Sequence, residues 1–169
     1  LLSPQPHGLK SVVDFCGVAR SGETAAGIAQ RSRLQKSATA LQRPSWDLFS
    51  TFPWDVCRAA TLETIRQIGP PVTVVKGNND FFQPWPMEEL LERHGVTCRL
   101  IHIPPRPTKL GTTHLLLHGH THVPRDEVVE GVRILNPGSI GKANKGAPPS
   151  YAWLHLGTDQ QVEWRIVRV

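Results

Sequence analysis

Residues 112–131 read TTHLLLHGHTHVPRDEVVEG, a leucine run that ends in a glycine flanked by histidines. No other stretch limits so sharply what this chain can fold into. His114, His118, His120 and His122 share one parity. In an extended chain their imidazoles therefore fall on one face, and Leu115 and Leu117 on the other. A buried strand that runs into a polar, glycine-containing loop is how open α/β sheets present ligands, at their strand ends. Imidazole at alternate positions is also a good donor to a divalent transition metal. His118 has a plainer reading as the last residue of the leucine strand, and His114 as a strand-surface residue.

The neighbouring segments predict what that strand joins. KSVVDFCG (10–17) is a short apolar run closed by glycine. In AATLETIRQIG (59–69), Ala59, Leu62, Ile65 and Ile68 recur at helical spacing before Gly69-Pro70 stops the helix. PVTVVKGNND (71–80) is a β-branched run entering a turn. PMEELLERHG (86–95) has proline at its start, acids in its first turn and glycine just past its end, so a short helix is expected there, with His94 as its closing cation. Five apparent strands follow: VTCRLIHI, THLLLHG, DEVVEGVRIL, YAWLHLG and VEWRIVRV. Strands separated by helices, then a strand-rich half, predict an α/β fold with a sheet or pair of sheets flanked by helices. Residues 72–76, 99–103 and 112–118 are expected in one connected sheet. Without an internal repeat or a linker, residues 1–169 read as one domain, with 1–9 a frayed terminus and 18–50 its least regular, most loosely packed part.

Composition narrows the function. Nineteen Lys and Arg against fourteen Asp and Glu give a net charge of +5. The basic residues are dispersed rather than striped, which argues against a nucleic-acid face and fits an anionic substrate. Three scattered cysteines do not form a disulfide framework and point to a reducing, cytoplasmic setting. No apolar run approaches the ~18 residues of a spanning helix. The opening LLSPQPHGLK has no methionine and no apolar signal core, so the start reads as trimmed or as missing upstream residues.

GNND (77–80), GHTHVP (119–124) and ILNPGSIGKANKGAPPSYAWL (134–154), in this order, resemble the small calcineurin-like metallophosphoesterases of the YfcE/MJ0936 type, which include the retromer subunit Vps29. Residues from about 56 to 169 carry the likeness. It implies a four-layer α/β/β/α sandwich, two facing mixed β-sheets flanked by helices, with two divalent metal ions at the strand ends. Mn is the foremost expectation, with Zn, Fe or Ni as alternatives. The implied activity is hydrolysis of a phosphoester small-molecule substrate, a phosphodiester foremost, by a metal-bridging hydroxide. The family's GHTH ligands fall on His120 and His122, its GN asparagine on Asn78, and its HG histidine on His102. Asp14 and Cys16 stand where the family has D-x-H, and Asp55 where it has the bridging aspartate of G-D, with Asp47 as a rival. Asp55 and His120 would be central to catalysis, and Asp80 and Asn136 would support the ligands.

Three departures bear on activity. Cys16 replaces a histidine, and its thiol would favour Zn as a ligand or simply fill space as a small buried hydrophobe. Trp54 replaces the glycine before the aspartate. Asn79 replaces the histidine that protonates the leaving oxygen in related phosphoesterases, a contribution worth ~10²–10⁴-fold. They leave a second reading open, a catalytically impaired member acting as a protein-binding scaffold, as Vps29 does. Phe81, Phe82 and Trp85 then either form a partner patch or pack into the core. A homodimer is compatible with the sequence, and no specific nucleic-acid partner is indicated.

Overall fold

Strict alternation builds the clearest strands. Residues Ser150–Leu156 bury Ser150, Ala152, Leu154 and Leu156 and leave the residues between them half-buried. Residues Val96–Ile101 bury Val96, Cys98 and Leu100 in the same rhythm. The computed structural model describes residues 9–13, 50–52, 59–67, 72–140 and 144–169. In chain order these give β1 (Leu9–Val13), β2 (Ser50–Phe52), α1 (Ala59–Arg66), β3 (Val72–Val74), β4 (Glu88–Arg93), β5 (Val96–Ile101), β6 (Leu115–His118), β7 (Arg125–Val129), β8 (Val132–Asn136), β9 (Ser150–Leu156) and β10 (Val162–Arg168). The expectations for Asp14, Cys16, Asp47, Trp54 and Asp55, and for residues 18–49, lie outside the described residues.

Two mixed five-stranded sheets result, in the orders β10-β9-β1-β2-β3 and β4-β5-β6-β8-β7. They pack through one core, in which Leu154 and Leu156 of the first sheet meet Val96, Cys98, Leu100, Leu115, Leu117 and Leu135 of the second. Each fully buried leucine stabilises by roughly 1.5–3 kcal/mol relative to an exposed one. A second cluster, Leu110, Leu116, Val132 and Ile134, covers the other face of the second sheet. The central strand β6 is thus buried on both faces, which explains why LLLH reads as a continuous apolar run. This is the two-sheet α/β architecture that the motif order implies. No helix among the described residues is long and apolar enough to cross a membrane.

Three expectations are corrected. Residues 72–76 do not share a sheet with 99–103 and 112–118: β3 lies in the first sheet and β5 and β6 in the second. The helix α1 lies between β2 and β3, which pair in parallel from Ser50↔Val72 to Phe52↔Val74, so the crossover returns β3 to the sheet of β2. An apolar run reports burial, not which of two facing sheets it joins.

Residues 86–95 contain a strand rather than a helix. β4 pairs with β5 at every position from Glu88↔Ile101 to Arg93↔Val96. His94 and Gly95, at φ 50 and 75, form the two-residue hairpin turn between them. The glycine that suggested a helix end is a turn glycine, and His94 is a turn residue rather than a helix-closing cation. Cross-strand pairing overrides the helical propensity of EELLER. Finally, DEVVEGVRIL is two strands, because Glu130 and Gly131, at φ 49 and 80, reverse the chain between β7 and β8.

Candidate metal centre

Three strand ends converge. β3 runs through buried Val75 into the turn Gly77–Asp80, and β5 and β6 lie side by side in parallel with Ile101 opposite His118. The Gly119 N–H donates to the His102 carbonyl at 3.0 Å, which carries that pairing one step past the strands. The first sheet therefore supplies Asn78, and the second supplies His102 and His120.

Their donor atoms meet at one point. His102 Nε2 donates to Asn78 Oδ1 at 2.7 Å, and His120 Nδ1 donates to the same oxygen at 2.9 Å. The two rings are edge-to-face, with centroids 5.2 Å apart. His102 is buried, while Asn78 and His120 face solvent, so the cluster is reachable from outside. Two borderline imidazole nitrogens with a hard amide oxygen suit Mn, Fe or Zn. No three His, Cys, Asp or Glu side chains gather into a metal-holding group among the described residues, so Asn78 is what makes the set three. The donor set fits a divalent ion at Asn78, His102 and His120. Such an ion would supply Lewis acidity and a more acidic bound water.

The shared-parity expectation for the four histidines fails beyond Gly119. His120 and His122 adopt φ 64 and 57, so the chain leaves strand geometry and each imidazole is aimed by a left-handed residue instead. That bend is what carries His120 to Asn78. His122 is half-buried and belongs to the same loop.

A second layer of polar groups fixes the loop. Asn136, fully buried, donates from Nδ2 to the Gly119 carbonyl at 3.1 Å and to Thr121 Oγ1 at 2.9 Å, and its Oδ1 accepts from the Gly138 N–H at 2.8 Å. His118, also fully buried, donates from Nδ1 to the same Gly119 carbonyl at 2.9 Å. Burial, helped by the nearby charges of Arg125, His102 and His120, pushes its pKa down to about 4 against the opposing pull of the Gly119 bond. Asn144 Nδ2 donates to the Thr121 carbonyl at 3.2 Å and ties the loop after β8 to the histidine loop. On the Asn78 side, buried Asp80 accepts the Gly77 N–H at 2.9 Å and braces the turn from within.

Sequence reasoning named Asn78, His102, His120, Asp80 and Asn136, all of which lie at these strand ends. It missed the roles of His118, Thr121 and Asn144. Threonine between the two histidines and asparagine in GKANKG were the available signals, since both residue types bond nearby backbone readily. Phe81 and Phe82 are 72% and 97% exposed, which rules out core packing for both; Trp85 is half-buried. His114 sits at a strand edge, where Nδ1 accepts from the Thr97 N–H at 3.1 Å.

Comparison with known proteins agrees with the two-sheet fold. The family profile for the calcineurin-like phosphoesterase superfamily domain matches residues 54–159. "Probable metallophosphoesterase YsnB" of Bacillus subtilis is 33% identical over 115 residues, 61% of this chain and 68% of that protein. Among solved structures, zinc-complexed Vps29 from Entamoeba histolytica is similar with a TM-score of 0.62 at 22% identity, over 95% of this chain and 99% of that one. A novel archaeal phosphodiesterase gives a TM-score of 0.69 at 14% identity, over 95% and 100%.

Proposed function

This chain belongs to the calcineurin-like phosphoesterase superfamily, and from that premise we propose that it is a catalytically impaired member, a protein-binding scaffold that keeps a metal-binding half-site. The observation that carries this reading is the loop beside Asn78. Asp80 braces it at Gly77, the Lys76 N–H donates to the Pro86 carbonyl at 2.7 Å, and the Gln83 N–H donates to the Asp80 carbonyl at 3.0 Å. Phe81 and Phe82 form the tip of that last turn and are held in water. Folding gains nothing from ordering two phenyl rings outside the core, whereas binding does, because rigid exposed aromatics are the usual anchors of protein contacts.

Asn79 supports impaired catalysis, since an amide cannot protonate a leaving group, and so do Cys16 and Trp54 at the two degenerate motifs. The likeness in fold to Vps29 is in keeping with the reading. One observation favours a second reading, a working metal-dependent phosphodiesterase: Asn78, His102 and His120 converge on a single point at the strand ends.

The two part in one experiment. With Mn, Zn or Ni, the full chain is expected to bind about one ion and to hydrolyse bis(p-nitrophenyl) phosphate no faster than its Asp55→Asn variant. It should retain a protein partner that the Phe81→Ser/Phe82→Ser variant loses. Metal-dependent turnover abolished by Asp55→Asn would replace the scaffold reading with the enzymatic one.

A further inference from the structure

His118 is the one histidine of the loop region that is wholly buried, and its place has a geometric explanation. Both residues that present imidazoles beyond it, His120 and His122, sit at positive φ. Left-handed backbone costs a non-glycine residue about 1–2 kcal/mol, so surrounding contacts must impose it. At His120 the contacts converge on one atom. The Gly119 carbonyl accepts from His118 Nδ1 at 2.9 Å, from Asn136 Nδ2 at 3.1 Å and from the Thr121 N–H at 2.7 Å.

The tautomer follows from the partners. Asn136 Nδ2 has two hydrogens, and the Gly119 carbonyl and Thr121 Oγ1 take both. Its 3.3 Å approach to His118 Nδ1 is therefore a contact rather than a third bond. His118 Nδ1 keeps its own proton on Gly119, which leaves the Nε2 lone pair turned towards Arg125 Nη1 at 3.5 Å. A nitrogen that faces a guanidinium, beside another committed to a carbonyl, is unsuited to a metal.

We propose that His118 is a positioning residue of the candidate metal centre. Its Nδ1–H, together with Asn136, fixes the Gly119 carbonyl, sets the left-handed turn at His120 and delivers the His120 imidazole to Asn78. The proposal rests on the reading that Asn78, His102 and His120 bind a divalent ion. Leucine in the same pocket would satisfy burial alone, as it does at the three preceding positions, but could not hold the carbonyl.

Three variants of the full chain test it. In His118→Asn the amide nitrogen takes the place of Nδ1, in His118→Gln it takes the place of Nε2, and His118→Leu has neither. Mn²⁺ affinity by calorimetry should fall about ten- to a hundredfold in the Leu and Gln variants, the usual effect of losing a group that orients a ligand. In His118→Asn it should stay within about threefold of the parent. The second readout needs no metal: amide exchange at Thr121 should quicken in the Leu and Gln variants and not in the Asn variant. Equal losses in the Asn and Leu variants would reduce His118 to a packing role and overturn the proposal, as would parental affinity in the Leu variant. If the parent itself binds no Mn²⁺, the metal reading fails, and Thr121 exchange alone decides the clamp. Unchanged exchange in the Leu variant would then reject it. Should the Leu variant not fold, the Gln and Asn pair carries the same comparison.

Discussion

Gly138, in the NPGS loop, offers a calculable test of how this centre is held. Its φ of +89 lies where side chains are strained, and a Cβ added there would sit 2.0 Å from Ser150 Oγ and 3.0 Å from Pro124 Cγ. The backbone term for Gly138→Ala is about 1–2 kcal/mol. Ser150 Oγ donates to the Pro137 carbonyl at 2.9 Å, and turning that hydroxyl away would forfeit about 1 kcal/mol. The Pro124 ring cannot swing aside as a flexible side chain would, so the sum should reach about 2–4 kcal/mol. Urea denaturation in EDTA measures it without metal. In a Ser150→Ala background the hydroxyl is already gone, so the same substitution should cost about 1 kcal/mol less, a coupling visible in a double-mutant cycle. A loss under about 0.5 kcal/mol, or strict additivity with Ser150→Ala, would refute the reasoning. Because the Gly138 N–H anchors Asn136, Gly138→Ala should also weaken Mn²⁺ binding.

Other outcomes follow from the same geometry. His118 has a folded-state pKa of about 4 against an ordinary 6.5, so the unfolded chain takes up its proton first as the pH falls. Stability should therefore be full above about 6.5 and drop by about 3 kcal/mol by pH 4 in metal-free protein. The difference between parent and His118→Asn isolates this term from Asp126, whose carboxyl Arg133 holds below its ordinary range. A difference that stays flat across that window would contradict the burial assigned to the ring. Asn136→Ala removes three hydrogen bonds at once, two of them buried, and should destabilise by about 2–4 kcal/mol in a denaturant titration. Burial pushes the Cys98 thiol up to about 12, so peptide mapping after alkylation at pH 8 should find Cys98 unmodified until the chain is unfolded. Phe81→Ser/Phe82→Ser should leave stability within about 0.5 kcal/mol of the parent, because neither ring is packed.

The polar ends of the strands were readable because each breaks an apolar run. Asn78, His102 and His120 announce themselves that way, and the structure brings all three together. The pairing of those runs was not readable. VTVV and CRLI are equally apolar, and only the α1 crossover assigns the first to one sheet and the second to the other. EELLER carries good helix formers, yet a positive-φ His94-Gly95 pair turns it back along β5. The bend at GHTH escapes any periodicity argument because the left-handed turn at His120 depends on donors to the Gly119 carbonyl supplied from β8 and from the end of β6. His118 looked like the end of a strand because it is one; its second role is a hydrogen bond to its own neighbour. The likeness to the family reached Asp14, Cys16 and Asp55 through motif order alone, and their places lie outside the described residues.

The outermost described strands of the two sheets have a consequence for how this chain behaves in a crowd. Among the described residues β3, β4, β7 and β10 are the outermost strands, and an edge strand is a template on which another molecule can add itself. β3 is only three residues long and offers little to add to. The others keep charge in water: Glu88, Glu92 and Arg93 on β4, Asp126 and Glu127 on β7, and Glu163, Arg165 and Arg168 on β10. Two β4 strands paired in parallel and in register would set glutamate beside glutamate, with Leu90 as the exposed apolar reward. The chain should accordingly stay dispersed when concentrated. Neutralising those few carboxylates, a change that touches no part of the core, is the alteration that should let it grow into fibres.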